Sequence, residues 1–247
     1  MENKFPVSNQ DINSNVLPVY LGNSFNYKNQ RDELLKTLSA EEKIRATKFA
    51  SDDLSFFYIV PHYYLRKIIS EKSQLSPGNL NFVQENGHKP WCPDTGIDFN
   101  ISHAKNLFAI VLADTAKLDV GVDIEIIKPI RDIESLVKNY MHPKEEEYIF
   151  NAGDENTIVT NFYKVWTRKE ALLKMLGVGI AVDMVKICAI PPSLSVEGAL
   201  IKEYIPNAPD TIPCYLHTQI NENYIVSVAL NEKRIIAFET LLTIDLT

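Results

Sequence analysis

Two carboxylates interrupt an apolar run that otherwise has the composition of a β-strand. The run is Val120-Gly121-Val122-Asp123-Ile124-Glu125-Ile126. Because side chains alternate across a strand, Asp123 and Glu125 project from one face, about 7 Å apart. Aspartate is uncommon in strands, and two anions on one face repel each other. A divalent cation between them would relieve this repulsion; a solvated edge strand is the alternative explanation.

The first half of the chain combines one long helix with short strands. Pro18 predicts that the strand at its start lies at a sheet edge. A capping box starts one helix, and Pro61 kinks or restarts the longer one. The predicted elements are an edge strand over 16–21, a helix from Ser39 to about Phe49, a helix from Asp52 to about Lys72, a turn at 76–79, and strands over 80–84, 98–101 and 107–113.

The second half again combines helices with short strands, and it starts with the strand that carries Asp123 and Glu125. Its predicted elements are strands over 119–126, 184–190, 213–220 and 224–230, helices over 132–140, from Pro143 to Gly153 and from Thr157 to Leu176 (ended by Gly177 and Gly179), and a loop within 191–213. We therefore predict an α+β fold of two similar, pseudo-twofold-related lobes, each a small antiparallel sheet packed with helices. The lobes would comprise residues 1–117 and 118–247, with the active site at their interface.

Composition narrows the function classes. The formal net charge of −7 argues against binding to nucleic acid. No apolar run approaches the roughly 20 residues that span a bilayer, and the first residues lack a signal pattern, so we expect neither membrane insertion nor export. Three widely spaced cysteines match neither a disulfide framework nor a zinc site, which favours a reduced, cytoplasmic protein.

A second group of chemically active side chains lies in Trp166-Thr167-Arg168-Lys169-Glu170-Ala171-Leu172-Leu173-Lys174. On a helix, Trp166, Glu170 and Lys174 share one face because they are four residues apart. Glu170 and Lys174 then form either an ordinary surface ion pair or part of a site. In a site, Glu170 would be a third carboxylate for a metal, or a base, and the lysines would face an anion. Mg²⁺ with a pyrophosphate suits this combination.

Two shorter motifs are weaker signals when each is taken alone. Phe99-Asn100-Ile101-Ser102-His103 ends a short strand with a hydroxyl and an imidazole, both of which can contact a phosphate. An isolated histidine is, however, more often a structural residue. Gly87-His88-Lys89-Pro90 is a turn that could present Lys89 to an anion.

The order of these motifs is more specific than any one of them. Lys-Pro, FNISH, VGVDIE, WTRKEALLK and a Gly-x-Gly follow one another between Leu38 and Ile180. In this order and spacing the chain resembles the 4′-phosphopantetheinyl transferases, in particular the two-lobed, Sfp-type branch. Beyond residue 180 the resemblance is loose.

The resemblance implies roles for individual residues. Asp123, Glu125 and Glu170 would bind Mg²⁺, or Mn²⁺ in its place. Lys169 and Lys174 would contact coenzyme A phosphates and the reacting centre, and Asp123 would belong to the cofactor-binding residues as well. The nucleotide would be held by residues of the first half, namely Arg45, Lys48, Lys89, Pro90, Ser102 and His103.

Four positions depart from the family pattern, in which lysine, arginine, glycine and serine are common in that order along the chain. They are Glu42, Phe57, His88 and Ala104. These departures reduce the expected contacts to the 3′-phosphate of coenzyme A and leave the metal ligands intact.

The activity that the resemblance implies is Mg²⁺-dependent transfer of the phosphopantetheine arm of coenzyme A to a serine of an apo acyl or peptidyl carrier protein. Adenosine 3′,5′-bisphosphate would leave. Glu170 would be the base, with Glu145 or Glu146 as alternatives, and Lys174 would stabilise the leaving group. We expect a monomer, since two lobes in one chain can form the site. A module that binds coenzyme A or a carrier protein without transfer, and a Mg²⁺-dependent phosphohydrolase, are the competing hypotheses.

Overall fold

The structure is a computed structural model that describes residues 15–84, 89–115, 117–151, 153–178, 182–191, 193–197 and 209–241. The predictions that concern His88 and Gly179 lie outside these residues. The elements are β1 (Val16–Asn23), α1 (Arg31–Thr37), α2 (Ala40–Ala46), α3 (Asp52–Ser73), β2 (Phe99–Ala104), β3 (Leu107–Leu112), β4 (Val120–Ile126), α4 (Ile133–Tyr140), α5 (Pro143–Phe150), α6 (Glu155–Leu176), β5 (Ser193–Glu197), β6 (Thr211–Ile220), β7 (Tyr224–Leu230) and β8 (Ile235–Thr240).

The strands form two four-stranded sheets, ordered β2-β3-β1-β8 and β4-β7-β6-β5. A three-strand pattern occurs in both sheets: the opening strand, β1 or β4, pairs antiparallel with the second strand of a hairpin, β3 or β7. Each sheet is packed with helices, which confirms the predicted α+β fold of two sheet-containing lobes.

The two sheets lie between two long helices. Side chains of β1 and β3 pack against those of β4 and β7 in one apolar core. The opposite face of the first sheet packs on α3, and the opposite face of the second packs on α6. The result is a helix–sheet–sheet–helix arrangement in which β4 lies between the first sheet and α6.

Helix boundaries follow the local signals in the sequence. Ser39 and Glu42 form the predicted capping box, and His142 caps α5 with Pro143 in the first helical position. Gly177 ends α6 with a φ of 69°, a left-handed conformation that glycine adopts without strain. The long helix α3 continues through Pro61 without a restart.

The strand predictions are less accurate than the helix predictions. β1 lies inside its sheet, not at the edge, between β3 and the parallel strand β8. Pro18 is tolerated because β1 begins to pair with β3 only at Val19, so Pro18 has a neighbour on one side alone. Segments 80–84 and 184–190 form no strand apart from an isolated bridge at Val83, and a short 3₁₀ helix lies at Met184–Lys186.

Strands β5 and β8 were not predicted. β5 lies within the segment that we expected to be a loop, and β8 pairs with β1 although it comes from the other end of the chain. The sheet of the first lobe therefore contains residues 235–240, and the predicted boundary at 117/118 does not separate the two sheets completely.

The edge strands β2 and β4 are joined by side chains. Three acceptors at alternate positions of one chain segment bind three alternate backbone N–H groups of β4. We call these contacts the β2–β4 seam; they are Asp98 Oδ2 to Val120 N (3.0 Å), Asn100 Oδ1 to Val122 N (2.8 Å) and Ser102 Oγ to Ile124 N (3.3 Å).

None of the helices in the described part of the chain combines the length and apolar character needed to cross a bilayer.

Gly121 permits an unusually close contact between β4 and α6. A Cβ atom at this position would lie 2.1 Å from the carbonyl oxygen of Ala171 and 2.4 Å from the backbone nitrogen of Met175. Both are backbone atoms, so neither can move aside alone. Any side chain here would push α6 away from β4.

We therefore predict that Gly121→Ala lowers the free energy of unfolding by about 1–3 kcal/mol, the usual cost of overpacking. Gly78→Ala is the matched control, because no atom lies within 4 Å of its added Cβ. Chemical denaturation of both variants measures the difference. Equal stability of the two variants would show that the contact between α6 and β4 is looser than described.

Candidate active site

Asp123 is a buried acid with a single cationic partner. Its side chain, in a residue 5% exposed, faces α6 from the middle of β4. Its Oδ1 accepts hydrogen bonds from Ser102 Oγ at 2.9 Å and from Lys174 Nζ at 2.6 Å. Lys174 also donates to Ser102 Oγ at 3.0 Å, which closes a triangle of three side chains from β2, β4 and α6. The site is thus assembled from both halves of the chain.

Glu125 and Glu170 lie close enough to Asp123 to interact with its charge. Burial raises the pKa of all three carboxyl groups and is the largest cause in each. Repulsion by Asp123 raises the pKa of Glu125 and Glu170 further, whereas Lys174 opposes the shift in all three. Lys174 therefore shares its charge among three acids, and Lys128 acts on Glu125 in addition. We call Asp123, Glu125, Glu170 and Lys174 the acid–lysine cluster.

Two carboxylate oxygens in this cluster are suited to a cation. Within the described residues, Asp123 Oδ2 and Glu170 Oε1 are buried and have no hydrogen-bond partner. Such oxygens are costly unless something positive or protic binds them. Mg²⁺ commonly takes one or two protein carboxylates and completes its shell with water and phosphate oxygens, so this donor set fits. In the same part of the chain, no three His, Cys, Asp or Glu side chains are arranged as a ready metal site.

A cavity of about 330 Å³ lies between α2, α3 and β2. Arg45 and Pro90, both predicted to contact the nucleotide, line it together with Phe99 and Ile101. This volume lies within the range of small-ligand sites. Arg45 is exposed, with its guanidinium carbon 5.3 Å from the ring centroid of Tyr58.

Strand β2 stands between this cavity and the acid–lysine cluster. Phe99 and Ile101 point to the cavity, whereas Asn100 and Ser102 point to β4, as the alternation of a strand requires. His103 follows at the exposed end of the strand, near the partly buried His62. Lys48 is also exposed, shortly after α2.

Lys89 is placed differently from our expectation. Its ammonium group donates to Asp98 Oδ2 and to the carbonyl oxygen of Val120, both at 2.5 Å. Burial lowers its pKa, and the charge of Asp98 opposes the shift. Lys89 therefore links the segment before β2 to the start of β4, and it does not line the cavity.

Lys169 is also outside the acid–lysine cluster. The side chains of Lys169 and Glu145 are 1% and 0% exposed and form an ion pair at 2.6 Å. Lys169 Nζ also donates to the carbonyl oxygens of Tyr140 and Met184. Glu145 accepts from the backbone nitrogens of His142 and Ala189. With their polar atoms engaged inside the protein, Lys169 has no donor left for coenzyme A and Glu145 is unsuited to be the base.

Two of the positions that depart from the family pattern, Glu42 and Phe57, have structural partners. Glu42 is buried and pairs with Arg66 at 2.6 Å. Phe57 packs edge-to-face on Phe25, with ring centroids 5.2 Å apart. Ala104 is partly buried at the end of β2.

Glu146, the remaining alternative base, is exposed on α5.

Sequence reasoning missed three residues near the site. Asp98 and Asn100 form two of the three seam contacts, and the alternation of polar residues at 98, 100 and 102 was a visible signal. His62 lines the cavity, and its Nδ1 lies 2.8 Å from the carbonyl oxygen of Tyr58. Burial lowers the pKa of His62 to about 4, so it is neutral at pH 7.

Comparison with known proteins identifies the same family that the order of the sequence motifs resembles. A profile of the 4′-phosphopantetheinyl transferase superfamily matches residues 119–229. The chain is 33% identical over 167 residues to the 4′-phosphopantetheinyl transferase HetI of Nostoc sp. (strain PCC 7120), covering 66% of this chain and 69% of HetI. It is 25% identical over 202 residues to the 4′-phosphopantetheinyl transferase Sfp of Bacillus subtilis (strain 168), covering 81% of this chain and 84% of Sfp. The chain belongs to the 4′-phosphopantetheinyl transferase superfamily.

Lys169→Met tests the structural role of the buried ion pair. Removing one partner of such a pair leaves an uncompensated buried charge, and we expect the free energy of unfolding to fall by about 3–5 kcal/mol. Lys186→Met is the control, because Lys186 pairs with Asp183 at the surface, where the two side chains are 63% and 55% exposed, and its loss leaves no buried charge. Urea denaturation distinguishes them: a fully stable Lys169→Met protein would contradict the buried pair.

Glu125→Gln tests the crowding of negative charge. Carboxyl groups with raised pKa bind protons more readily in the folded chain than in the unfolded one, so their contribution to stability falls as the pH rises through those values. In a chelator at pH 7, we expect Glu125→Gln to melt about 2–4 °C above the wild type, equivalent to roughly 1 kcal/mol for a chain of this size.

This gain should disappear in acid, where Glu125 is protonated in the wild type as well. Thermal melts at several pH values measure it. Glu146→Gln, at an exposed acid of α5, is the control and should show no gain. A gain that grew towards low pH would have the wrong sign for repulsion between carboxylates.

Proposed function

We propose that this protein is a 4′-phosphopantetheinyl transferase that moves the phosphopantetheine arm of coenzyme A to a serine of an acyl or peptidyl carrier protein. The observation that carries the proposal is the acid–lysine cluster at the junction of the two lobes, beside a cavity of about 330 Å³. Membership of the superfamily adds independent support, and the relatives HetI and Sfp are both named as 4′-phosphopantetheinyl transferases.

The cavity and the end of β2 would bind the nucleotide. Arg45 offers a charge at the cavity, and Pro90 with the apolar side chains of β2 offers a surface for a base. His103, at the exposed end of β2, would contact phosphate, whereas Ser102 is buried and donates its hydroxyl hydrogen to Asp123. Lys48, which is exposed to solvent, would add a positive charge. We leave Lys89 and Lys169 out of the direct contacts because both are engaged inside the protein.

Residues of the cluster would divide the chemical work. Glu170, on the face of α6 that it shares with Lys174, would accept the proton of the carrier serine. The serine oxygen would form a bond to the phosphorus that bears the pantetheine arm, and the bond from that phosphorus to the nucleotide phosphate oxygen would break. Lys174 would stabilise the charge on the departing adenosine 3′,5′-bisphosphate.

Asp123, Glu125 and Glu170 would hold Mg²⁺, or Mn²⁺ in its place. The ion would neutralise the pyrophosphate during transfer. Support comes from the unpartnered oxygens of Asp123 and Glu170 and from the excess of negative charge around Lys174. Lys174 would then exchange part of its contact with Asp123 for a contact with phosphate.

We further propose that the protein acts as a cytoplasmic monomer. Its three cysteines, Cys92, Cys188 and Cys214, are all unpaired thiols, as a reducing compartment would leave them. Both halves of the chain contribute to the cluster, so a second subunit is not needed to form it.

The direct test incubates the protein with coenzyme A, Mg²⁺ and several apo carrier proteins, and then measures carrier mass. We expect a phosphopantetheine increment that a chelator abolishes and added Mg²⁺ restores. Asp123→Asn should lower the turnover number by about 100-fold or more, the scale of losing one preorganised electrostatic contact. Asp183→Asn, at an exposed acid that pairs with Lys186, is the control and should transfer normally.

The same assay separates the competing hypotheses. Binding of coenzyme A in a calorimeter, with no mass increment on any carrier and no free bisphosphate nucleotide, would indicate a binding module. Release of that nucleotide without a carrier would indicate a hydrolase. Either result would refute the proposed transfer.

A further inference from the structure

The β2–β4 seam holds the strand that carries the acids. In an antiparallel pair, alternate N–H groups of a strand point to its neighbour and the rest point away. β4 pairs with β7 on one side only and is the edge strand of its sheet. The N–H groups of Val122 and Ile124 point away from β7, and Asn100 and Ser102 bind them.

Asp123 lies between these two seam contacts. Its neighbours Val122 and Ile124 are 0% and 2% exposed, so an N–H group that lost its acceptor there would have little access to water. Ser102 is also bonded to Asp123 and Lys174, and Asp98 is also bonded to Lys89. Asn100 holds the middle position, and its side chain has no described contact with the acid–lysine cluster itself.

The middle contact fixes Asp123 in two ways. It holds the backbone immediately before Asp123 at a set distance from β2. It also keeps β4 beside β2 at the position where Ser102 Oγ lies 2.9 Å from Asp123 Oδ1. The direction of the Asp123 side chain towards α6 is set separately, by the pairing of β4 with β7.

We propose that Asn100 is a positioning residue for the acid–lysine cluster: its amide oxygen sets the place of Asp123, and so the affinity of the site for its divalent cation. This inference rests on the proposed function. Partners that orient metal ligands typically change metal affinity by 10–100-fold when they are removed. Asn100 acts through the backbone of the strand and has no contact with the reacting atoms.

Asn100→Leu is the test variant, because leucine has a similar shape and no acceptor. The Mg²⁺ concentration for half-maximal transfer should rise by about tenfold or more. Mn²⁺ binding, followed by electron paramagnetic resonance in the presence of coenzyme A, should weaken in parallel. Amide hydrogen exchange should show faster exchange over residues 120–125. Asn100→Asp keeps an acceptor oxygen in place and should restore the slow exchange and most of the metal affinity.

Asn231→Leu is the matched control. Asn231 Oδ1 also accepts a backbone hydrogen bond next to β4, from the nitrogen of Asp119 at 2.9 Å, but at the end remote from the cluster. A general loss of stability would affect both variants alike, whereas positioning predicts weaker metal binding in Asn100→Leu alone. If Asn100→Leu fails to fold, Asn100→Ser replaces it, since its oxygen is one bond shorter.

Three results would overturn the inference. They are unchanged metal binding in the Asn100 variant, equal weakening in the Asn231 control, and failure of Asn100→Asp to restore binding. Absence of transfer by the wild type would refute the proposed function instead. Hydrogen exchange and Mn²⁺ binding would still decide the role of Asn100 in that case.

Discussion

The close backbone contact between β4 and α6 is the constraint on which the site depends. An ordinary side chain at position 121 would hold the helix away from the strand, and the carboxylates of Asp123 and Glu170 would then face a wider, wetter gap. At the observed distance, Lys174 reaches across to Asp123 and to Ser102 of the other sheet. The absence of one side chain thus allows three chain segments to share a single small volume.

That volume contains more negative than positive charge, and this imbalance favours the binding of a cation. A site with complete internal pairing would be stable but would have little reason to bind a cation. Here one lysine faces three acids, and two buried oxygens have no partner within the described residues. The unbalanced charge and the unpartnered oxygens lower the stability of the folded chain, as is common at functional sites. The fully satisfied pair of Lys169 and Glu145, close by in the same lobe, shows the opposite arrangement.

Local periodicity allowed much of this arrangement to be predicted. Alternation placed Asp123 and Glu125 on one face of a strand, and a four-residue spacing placed Glu170 and Lys174 on one face of a helix. Capping residues gave the starts of α2 and α5 and the end of α6 with little error, whereas α2 and α5 end about three residues before their predicted ends. The errors came from contacts between distant segments. Burial of Lys169 depends on Glu145, which lies on another helix 24 residues earlier, and the interior place of β1 depends on β8. No local pattern encodes either pairing.

The pairing of Val16 with Ile235 joins segments separated by almost the whole chain. During synthesis, the first sheet has to wait with one side of β1 uncovered until residues 235–240 have left the ribosome. Exposed strand edges of this kind invite pairing with other chains. If the first lobe folds before these residues are available, its unpaired strand edge can pair with another chain. A fragment cut at the lobe junction would have the same unpaired edge on β1. The two lobes are best regarded as one cooperative unit whose first and last strands complete each other.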